Sequence, residues 1–187
     1  MQHYAPNSAE ESIVSACISG DRKAQRKLYD TYSRKMYVVS LRYSKTTAEA
    51  EDILQEAFLK IFDAIGDFKY ECPLDYWIKR IVINTALKHN RRKMDQMPFE
   101  EVSDLNYTPN LHDGDVSNHN FKDLLAMIQR LAPGCQVVFN LHAIEGFKHK
   151  EIAEMLSITE GTSKSQYARA KMLLQEMLAK EVNYEKR

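Results

Sequence analysis

The sequence predicts an all-α protein with two helical domains joined by a flexible acidic linker. Apolar residues recur at three- and four-residue spacing through most of the chain, and no stretch alternates as a strand does. The low glycine and proline counts, 6 and 5 in 187 residues, favour helices over β-structure. The helical period stops between residues 95 and 119, where prolines, a glycine and Asx residues accumulate. We therefore predict domains at 1–94 and 120–187, with a linker at 95–119.

Four helices are predicted in the N-terminal domain. The first spans about 8–19, and the second runs from about Arg22 to Tyr43. The third follows the capping-box pattern Thr46-Thr47-Ala48-Glu49 and continues to about Ile65. Its apolar residues form one stripe for burial: Ile53, Ala57, Phe58, Ile61, Phe62 and Ile65. The fourth helix follows Pro73 and ends in the basic run Arg91-Arg92-Lys93.

The C-terminal domain is predicted to be a four-helix unit, with helices at about 120–131, 134–145, 148–156 and 160–180. The last two are joined by a tight turn, which is typical of a helix-turn-helix whose second helix enters the DNA major groove. Thr159 occupies the N-cap position of that second helix, and Glu160 suits the positive end of its dipole.

The second helix of this motif has two different faces. The inner face is predicted to pack on the preceding helix through Ser163, Tyr167, Ala170 and Leu174. The outer face carries side chains that reach base edges and phosphates: Thr162, Lys164, Ser165, Gln166 and Arg169. The alternative is that this outer face is only the solvated side of a helical hairpin.

The net charge of zero conflicts with DNA binding until its distribution is considered. Residues 22–93 contain sixteen Lys and Arg against nine acids, and residues 95–121 contain six acids without a Lys or Arg. Residues 122–187 contain ten bases against eight acids. The net charge of zero is therefore the sum of a basic N-terminal domain, an acidic linker and a mildly basic C-terminal domain.

Several classes of function are disfavoured by the sequence. Cys17, Cys72 and Cys135 are widely separated and form no CxxC pair, so we expect neither a metal site nor a disulfide. No Gly-rich phosphate loop, HExxH motif or credible catalytic triad occurs, so we expect no enzymatic activity and no cofactor. No signal peptide or membrane-length apolar run is found, which predicts a cytoplasmic protein.

Two surfaces of the N-terminal domain have the composition of interfaces. The third helix exposes an acidic stripe with apolar neighbours, formed by Asp52, Gln55, Glu56 and Leu59, which suits a basic helical partner. Aromatic and basic residues alternate around the fourth helix, and such residues stabilise single-stranded DNA. They are Phe68, Tyr70, Tyr76, Trp77, Lys79, Arg80, Lys88, Arg91 and Arg92. The alternatives are a solvated acidic face, a core role for Trp77 and a cationic helix end.

The motif blocks resemble those of a bacterial sigma factor of the small extracytoplasmic-function (ECF) type. The C-terminal domain of that family is similar to Leu131–Leu141, Glu145-Gly146-Phe147, Glu151–Leu156 and Gly161–Ser165. Ala50–Phe62 resembles the helix that docks on the β′ clamp of core RNA polymerase. Tyr76–Ala86 with Arg91-Arg92 resembles the segment that melts and reads the minus-10 element. Leu28–Tyr32 and Met36-Tyr37 are similar to the opening conserved region of the family.

The resemblance implies a promoter-specificity subunit that works only on core RNA polymerase. Its C-terminal domain would read the minus-35 element and touch the β flap. The loop Lys69–Leu74 would receive a flipped base, and Asn84 would lie near the single strand. The implied partners are core polymerase, duplex and single-stranded promoter DNA, and an anti-sigma factor. The alternative is a stand-alone helix-turn-helix regulator, which leaves the docking stripe and melting segment unexplained.

Four residues depart from the family pattern. Ser157 stands where the turn usually has glycine, so we expect the turn to adopt another low-cost geometry. Ser163 replaces a usual buried valine, and its hydroxyl is expected to bond the Thr159 carbonyl. Gln136 and Gln166 occupy positions where arginine is frequent, which predicts weaker phosphate binding.

Overall fold

Residues 8–96 and 119–185 are described by the structure, a computed structural model, which includes the side chains of residues 8–91 and 122–180. These residues form eight α-helices and no strand, which confirms the all-α prediction. The helices are α1 (Ser8–Ile18), α2 (Arg22–Tyr43), α3 (Thr47–Ala64), α4 (Leu74–Gln96), α5 (His119–Arg130), α6 (Pro133–Phe139), α7 (His149–Leu156) and α8 (Glu160–Glu185). The predicted linker, 95–119, overlaps α4 and α5 at its ends, and 97–118 lie outside the described residues.

The chain divides into two compact units. Unit 1 consists of Met1–Leu41 and Ala48–Ala86, and unit 2 consists of Arg42–Thr47 and Leu87–Arg187. Unit 2 thus includes the end of α2, the connection to α3 and the second half of α4. The predicted domains, at 1–94 and 120–187, are divisions by function and stay a prediction.

In unit 1, the inner face of α3 packs among the other helices. The predicted apolar stripe is buried at Ile53, Ala57, Phe58, Ile61 and Ile65, and Phe62 is half-buried. The ring of Tyr29 in α2 lies 4.7 Å from that of Phe58, centroid to centroid. The three- and four-residue spacing therefore identifies the face of α3 that forms the core, and leaves the opposite face free for a partner.

The start of α4 is held by polar contacts from α1 and α2. The backbone N–H of Leu74 donates to Glu10 Oε1 at 2.8 Å, which satisfies one of the amide groups left unpaired at a helix N-terminus. Lys35 Nζ lies 2.7 Å from Asp75 Oδ2. That hydrogen bond lowers the pKa of the Asp75 carboxyl, against the opposing effect of burial. Both contacts fix α4 at the point where the aromatic residues of the predicted melting segment begin.

Unit 2 has a core shared by α5, α6 and α8. Its fully buried members are Met127, Ile128, Leu131, Cys135, Ala170 and Leu174. Helix α7 also contacts α8, and Ile152 is its fully buried residue. Helices α5, α6 and α7 thus all contact α8, while Lys164, Ser165 and Arg169 on its outer face are exposed.

The helix predicted at 134–145 is present, but its second half has wider turns than an α-helix. Helix α6 ends at Phe139, and a π-helical segment follows at Asn140–Ile144. The backbone N–H of Glu145 donates to the Asn140 carbonyl at 3.0 Å, five residues back. Asn140 and Leu141, at the start of this wider turn, are both fully buried.

Side chains of this region cap the end of α2 within unit 2. Gln136 Nε2 donates to the carbonyl oxygens of Arg42 at 2.9 Å and Ser44 at 3.1 Å. Asn140 Nδ2 also donates to the Arg42 carbonyl, at 2.6 Å. The side chain of Gln136 is fully buried, and its amide is bonded to carbonyl groups at a helix end. The expected weaker phosphate binding from the absence of arginine at this position stays a prediction.

The turn of the helix-turn-helix places Ser157 itself in the left-handed region, at φ 56° and ψ 42°. The N–H of Ile158 then donates to the Ala153 carbonyl at 3.0 Å, which closes the end of α7. The expectation that serine forces another turn geometry is wrong. The chain keeps the geometry that glycine favours and accepts a strain of about 1 kcal/mol at Ser157.

Replacing Ser157 with glycine should stabilise the protein. We expect Ser157→Gly to raise the free energy of unfolding by about 1 kcal/mol, because glycine adopts the left-handed conformation without a Cβ clash. Chemical denaturation of the full chain measures the change. Ser157→Ala is the control, since alanine keeps the strain, and an equal gain in both variants would contradict this explanation.

Loss of the Gln136 cap should destabilise unit 2. We expect Gln136→Ala to lower the free energy of unfolding by about 2 kcal/mol or more, because the buried carbonyl of Ser44 loses its donor and a cavity forms. Gln175→Ala is the control, because Gln175 is exposed on α8 and its loss should change stability by less than about 0.5 kcal/mol. Equal effects of the two substitutions would contradict the assigned role of Gln136.

Candidate nucleic-acid and polymerase interfaces

Helix α8 begins with the cap predicted from the sequence. The Thr162 N–H donates to Thr159 Oγ1 at 3.0 Å, so Thr159 is the N-cap. Lys164 Nζ lies 2.7 Å from Glu160 Oε1, and the hydrogen bond between them lowers the pKa of Glu160. The first turn of the helix is thus defined by polar contacts of its own residues.

The inner face of α8 is the predicted one. Ser163, Ala170 and Leu174 are buried and Tyr167 is half-buried. The facing residue of α7, Ile152, is fully buried. The prediction of which side of α8 packs on α7 is confirmed.

The contact made by Ser163 was not predicted. Its hydroxyl lies 2.9 Å from Nδ1 of His149 in α7, whereas the Thr159 carbonyl takes the backbone N–H of Ser163 at 3.0 Å. The expected bond from the hydroxyl to that carbonyl is therefore replaced by a contact between the two helices. The sequence carries a signal, because a buried small polar residue on an apolar face requires a polar partner.

The outer residues of α8 fall into two groups. Lys164, Ser165 and Arg169 are exposed, and Thr162 and Gln166 are half-buried. The Thr162 and Thr159 hydroxyl oxygens are 2.8 Å apart, and Cys135 Sγ donates to Gln166 Oε1 at 2.8 Å. Helix α8 therefore presents a surface of short donors and cations, while Gln166 also packs against the start of α6. Direct reading of bases by these residues stays a prediction.

The predicted docking stripe lies along the outer face of α3. Asp52 and Gln55 are exposed, and Leu59 is 67% exposed, which is unusual for a large apolar side chain. Glu56 is half-exposed and lies 2.7 Å from Lys60 Nζ. Lys60 also donates to Thr85 Oγ1 at 3.1 Å. The spacing of four residues between Glu56 and Lys60 is the signal in the sequence for their ion pair.

Aromatic residues cluster in the loop before α4. The Phe68 ring lies 4.8 Å from Tyr70 and 5.4 Å from Trp77, between centroids. Phe68 is buried, whereas Tyr70 and Trp77 are half-buried. Tyr70 has a φ of 56°, a left-handed conformation that is uncommon for an aromatic residue. Such strain is often found at functional sites, which makes this loop a candidate for base recognition.

The predicted basic residues follow along α4. Arg80, Asn84, Lys88 and Arg91 recur at three- and four-residue spacing, and all four are exposed. Lys69 is exposed in the preceding loop, and Lys79 Nζ lies 5.7 Å from the Tyr76 ring centroid. The side chain of Arg92 lies outside the described residues. The placement is that of a cationic helical face beside open aromatic rings.

Among the residues that the structure describes, no helix is both long and apolar enough to span a membrane. The same part of the chain contains no group of three His, Cys, Asp or Glu side chains that could hold a metal ion.

The chain matches two families of known proteins. The family described as Sigma-70 region 2 matches residues 28–95, and Sigma-70, region 4 matches residues 121–174. The ECF RNA polymerase sigma factor SigM of Mycobacterium tuberculosis is 28% identical over 172 residues, which cover 91% of this chain and 85% of SigM. The RNA polymerase sigma-H factor of Pseudomonas aeruginosa is 26% identical over 185 residues, with coverage of 90% and 93%.

A solved structure has the same fold. The sigma factor RpoE of Bartonella quintana, in complex with the anti-sigma factor NepR, has a TM-score of 0.53 and 19% sequence identity. The match covers 82% of this chain and 96% of the RpoE chain.

Two sigma regions in the expected order, over more than half of the chain, show that it belongs to the sigma-70 family of RNA polymerase sigma factors. Within that family it is of the ECF type, as its relatives are. Sigma factors are non-enzymatic proteins that direct transcription initiation at promoters.

Proposed function

We propose that this chain binds core RNA polymerase, recognises a minus-35 element with α8, and melts and reads a minus-10 element with the loop before α4 and α4 itself. The observation that carries the proposal is the presence of both sigma regions, in order, in one chain. Each region also exposes a surface with suitable chemistry. The protein acts in the cytoplasm, where core polymerase and promoter DNA are found.

Recognition of the upstream element depends on the exposed first turns of α8. Thr162, Lys164 and Ser165 follow the N-cap, so the positive end of the helix dipole points toward DNA phosphates. Arg169 lies two turns into the helix and is exposed, where a long cation can reach a base edge or a phosphate. Gln166, held by Cys135, has less freedom to contact DNA than its neighbours.

Docking on core polymerase depends on the outer face of α3. Leu59 supplies exposed apolar surface, and the carboxylates of Asp52 and Glu56 surround it. Apolar contact at the centre of an interface contributes most of the affinity, and charges at its rim set orientation. A basic helical surface, such as the β′ clamp, fits this arrangement. The β flap is the partner we propose for unit 2.

Opening of the duplex depends on stacking and charge together. Tyr70 and Trp77 offer ring faces next to Lys69 and Arg80, and base stacking on such rings stabilises a strand by about 1–3 kcal/mol per base. Asn84, Lys88 and Arg91 continue along α4. We also propose an anti-sigma factor as a regulatory partner, a proposal supported by the complex of RpoE with NepR.

Reconstituted transcription tests the proposal directly. Purified chain and core polymerase are incubated with a pool of promoter DNA, and bound and transcribed sequences are selected. We expect enrichment of two elements with a fixed spacing only when both components are present. Equal selection by the chain without polymerase would instead indicate a stand-alone DNA-binding regulator.

Reversal of charge on the docking stripe should abolish binding to core polymerase. We expect Asp52→Lys/Glu56→Lys to lower the affinity for core at least tenfold with the fold intact, because like charges then face a basic partner. Fluorescence anisotropy of labelled chain measures this affinity, and circular dichroism checks the fold. Asp123→Lys/Glu176→Lys changes the same charge at exposed positions of unit 2 and should bind core normally.

Truncation of Arg169 should separate DNA recognition from docking. We expect Arg169→Ala to leave core affinity unchanged and to weaken recognition of the upstream element roughly tenfold, the effect of losing one base or phosphate contact. Competition between DNA fragments with intact and scrambled upstream elements measures this effect. Arg130→Ala, an exposed arginine of α5, serves as the control. Loss of core binding by Arg169→Ala would contradict the proposal that α8 recognises DNA and α3 binds core polymerase.

A further inference from the structure

A group of polar and aromatic side chains lies on the inner side of the first turns of α8. His149 of α7 contacts the Ser163 hydroxyl through Nδ1, at 2.9 Å. Its ring stacks on His142 of the π-helical segment, with centroids 4.1 Å apart and planes 23° apart. Tyr167 of α8 meets His142 edge-on, at 4.6 Å. Three elements of unit 2 therefore meet at these four residues.

The hydrogen bonds of this group restrict the rotation of α8. Ser163 is fully buried, so its hydroxyl requires a partner, and an unpaired hydroxyl there would cost about 1–3 kcal/mol. A hydrogen bond is directional, whereas an apolar contact at the same place would allow small rotations. Thr162 and Lys164 flank Ser163 in the sequence, so the bond that fixes Ser163 also fixes the directions of its two neighbours.

The position of His149 depends in turn on His142. His142 Nδ1 lies 2.8 Å from the Phe147 carbonyl oxygen, which can only accept, so the Nδ1 atom of His142 carries a proton. That bond orients the His142 ring, and the stack orients His149. The Phe147 carbonyl thus orients His142, the stack on His142 orients His149, and His149 bonds to Ser163 on α8.

We propose that His149 is a positioning residue for DNA recognition: its uncharged ring, bonded to Ser163 and stacked on His142, holds α8 in the rotation that presents Thr162 and Lys164 to the upstream element. This inference rests on the proposed reading of that element by α8. The hydrogen bond of His149 goes to Ser163 on the inner face of α8, so its effect on the outer face passes through Ser163.

A charged His149 ring is disfavoured by its surroundings. The titratable groups that face it are His142 from the π-helical segment and Glu160, Lys164 and Tyr167 from α8. Burial lowers the pKa of His149 from its ordinary 6.5, and His142 and Lys164 lower it further against the opposing effect of Glu160. A second cation stacked at 4.1 Å on His142 would repel any charge on that ring.

The sign of the pH dependence follows from this direction. Because the folded protein binds the proton less tightly than the unfolded chain, the contribution of neutral His149 is fully present above pH 6.5. It is lost as the pH falls through the lower pKa of the folded state. We therefore expect upstream-element recognition to weaken by up to about tenfold per pH unit below that pKa.

The test compares holoenzymes, each made from core polymerase and one variant, at pH values between about 8 and about 5. The measured quantity is the ratio of affinities for DNA fragments with intact and scrambled upstream elements, which cancels titration of the polymerase itself. His149→Asn keeps a side-chain amide near the place of Nδ1 but does not titrate. His149→Phe keeps a stacked ring but removes the bond. His89→Asn removes a histidine elsewhere in unit 2 as a control.

The expected pattern is specific. For the unmodified chain and for His89→Asn, the ratio should decrease as the pH is lowered. For His149→Asn, the ratio should not change with pH. His149→Phe should be low at all pH values, and His149→Phe/Ser163→Val should restore it without pH dependence, because no buried hydroxyl is then left unpaired. A role in folding alone would not produce this rescue.

Two results would overturn the inference. If the ratio falls in parallel for the unmodified chain and His149→Asn, the ring does not control recognition. The inference fails equally if His149→Phe matches the unmodified chain at high pH. If the unmodified holoenzyme shows no preference for an upstream element at any pH, the proposed function of α8 fails as well, so the two failures are distinguishable.

Discussion

Hydrogen bonds to the carbonyl groups at the end of α2 are the interactions on which the arrangement of unit 2 depends. Gln136 and Asn140 supply the donors, and they fix α6 and the π-helical segment, against which α8 packs. The carbonyl groups at the end of α5 also receive a side-chain donor. Lys45 Nζ donates to the Gln129 carbonyl at 2.5 Å and to the Leu131 carbonyl. Cations are favoured at helix C-termini, so this contact also suits the helix dipole.

These polar contacts specify geometry more than they add stability. The Arg42–Glu145 pair, at 2.6 Å, is largely buried, and the desolvation of such a pair offsets much of its attraction. Gln136 Oε1 and Asn140 Oδ1 are buried and accept no hydrogen bond from the described residues. Apolar residues at positions 136 and 140 would avoid the burial of polar atoms, but they would not donate hydrogen bonds to the carbonyl groups at the end of α2. The requirement for backbone donors therefore explains why amides stand at these positions.

Helix positions and buried faces could be predicted because they depend on local spacing. The inner residues of α3 and α8 follow from the period of 3.6 residues, and the Thr159 cap follows from the residue type. The capping role of Gln136 could not be predicted from the sequence, because its acceptor on Arg42 lies 94 residues away in the chain. The π-helical segment and left-handed Ser157 were missed for a related reason: packing around them outweighs local preference. The roles of the exposed candidates in DNA and polymerase binding stay predictions.

The inner face of a recognition helix is usually treated as packing and its outer face as function, and Ser163 shows why this division is too simple. A helix held by apolar contacts can rotate slightly at little cost, and such a rotation moves its outer side chains relative to a base edge. Ser163 and His149 replace one such contact with a directional bond, and the stack on His142 ties that bond to the segment before α7. Under the proposed reading of the upstream element by α8, recognition geometry depends on residues of the inner face, and the protonation state of His149 becomes part of the specificity of α8.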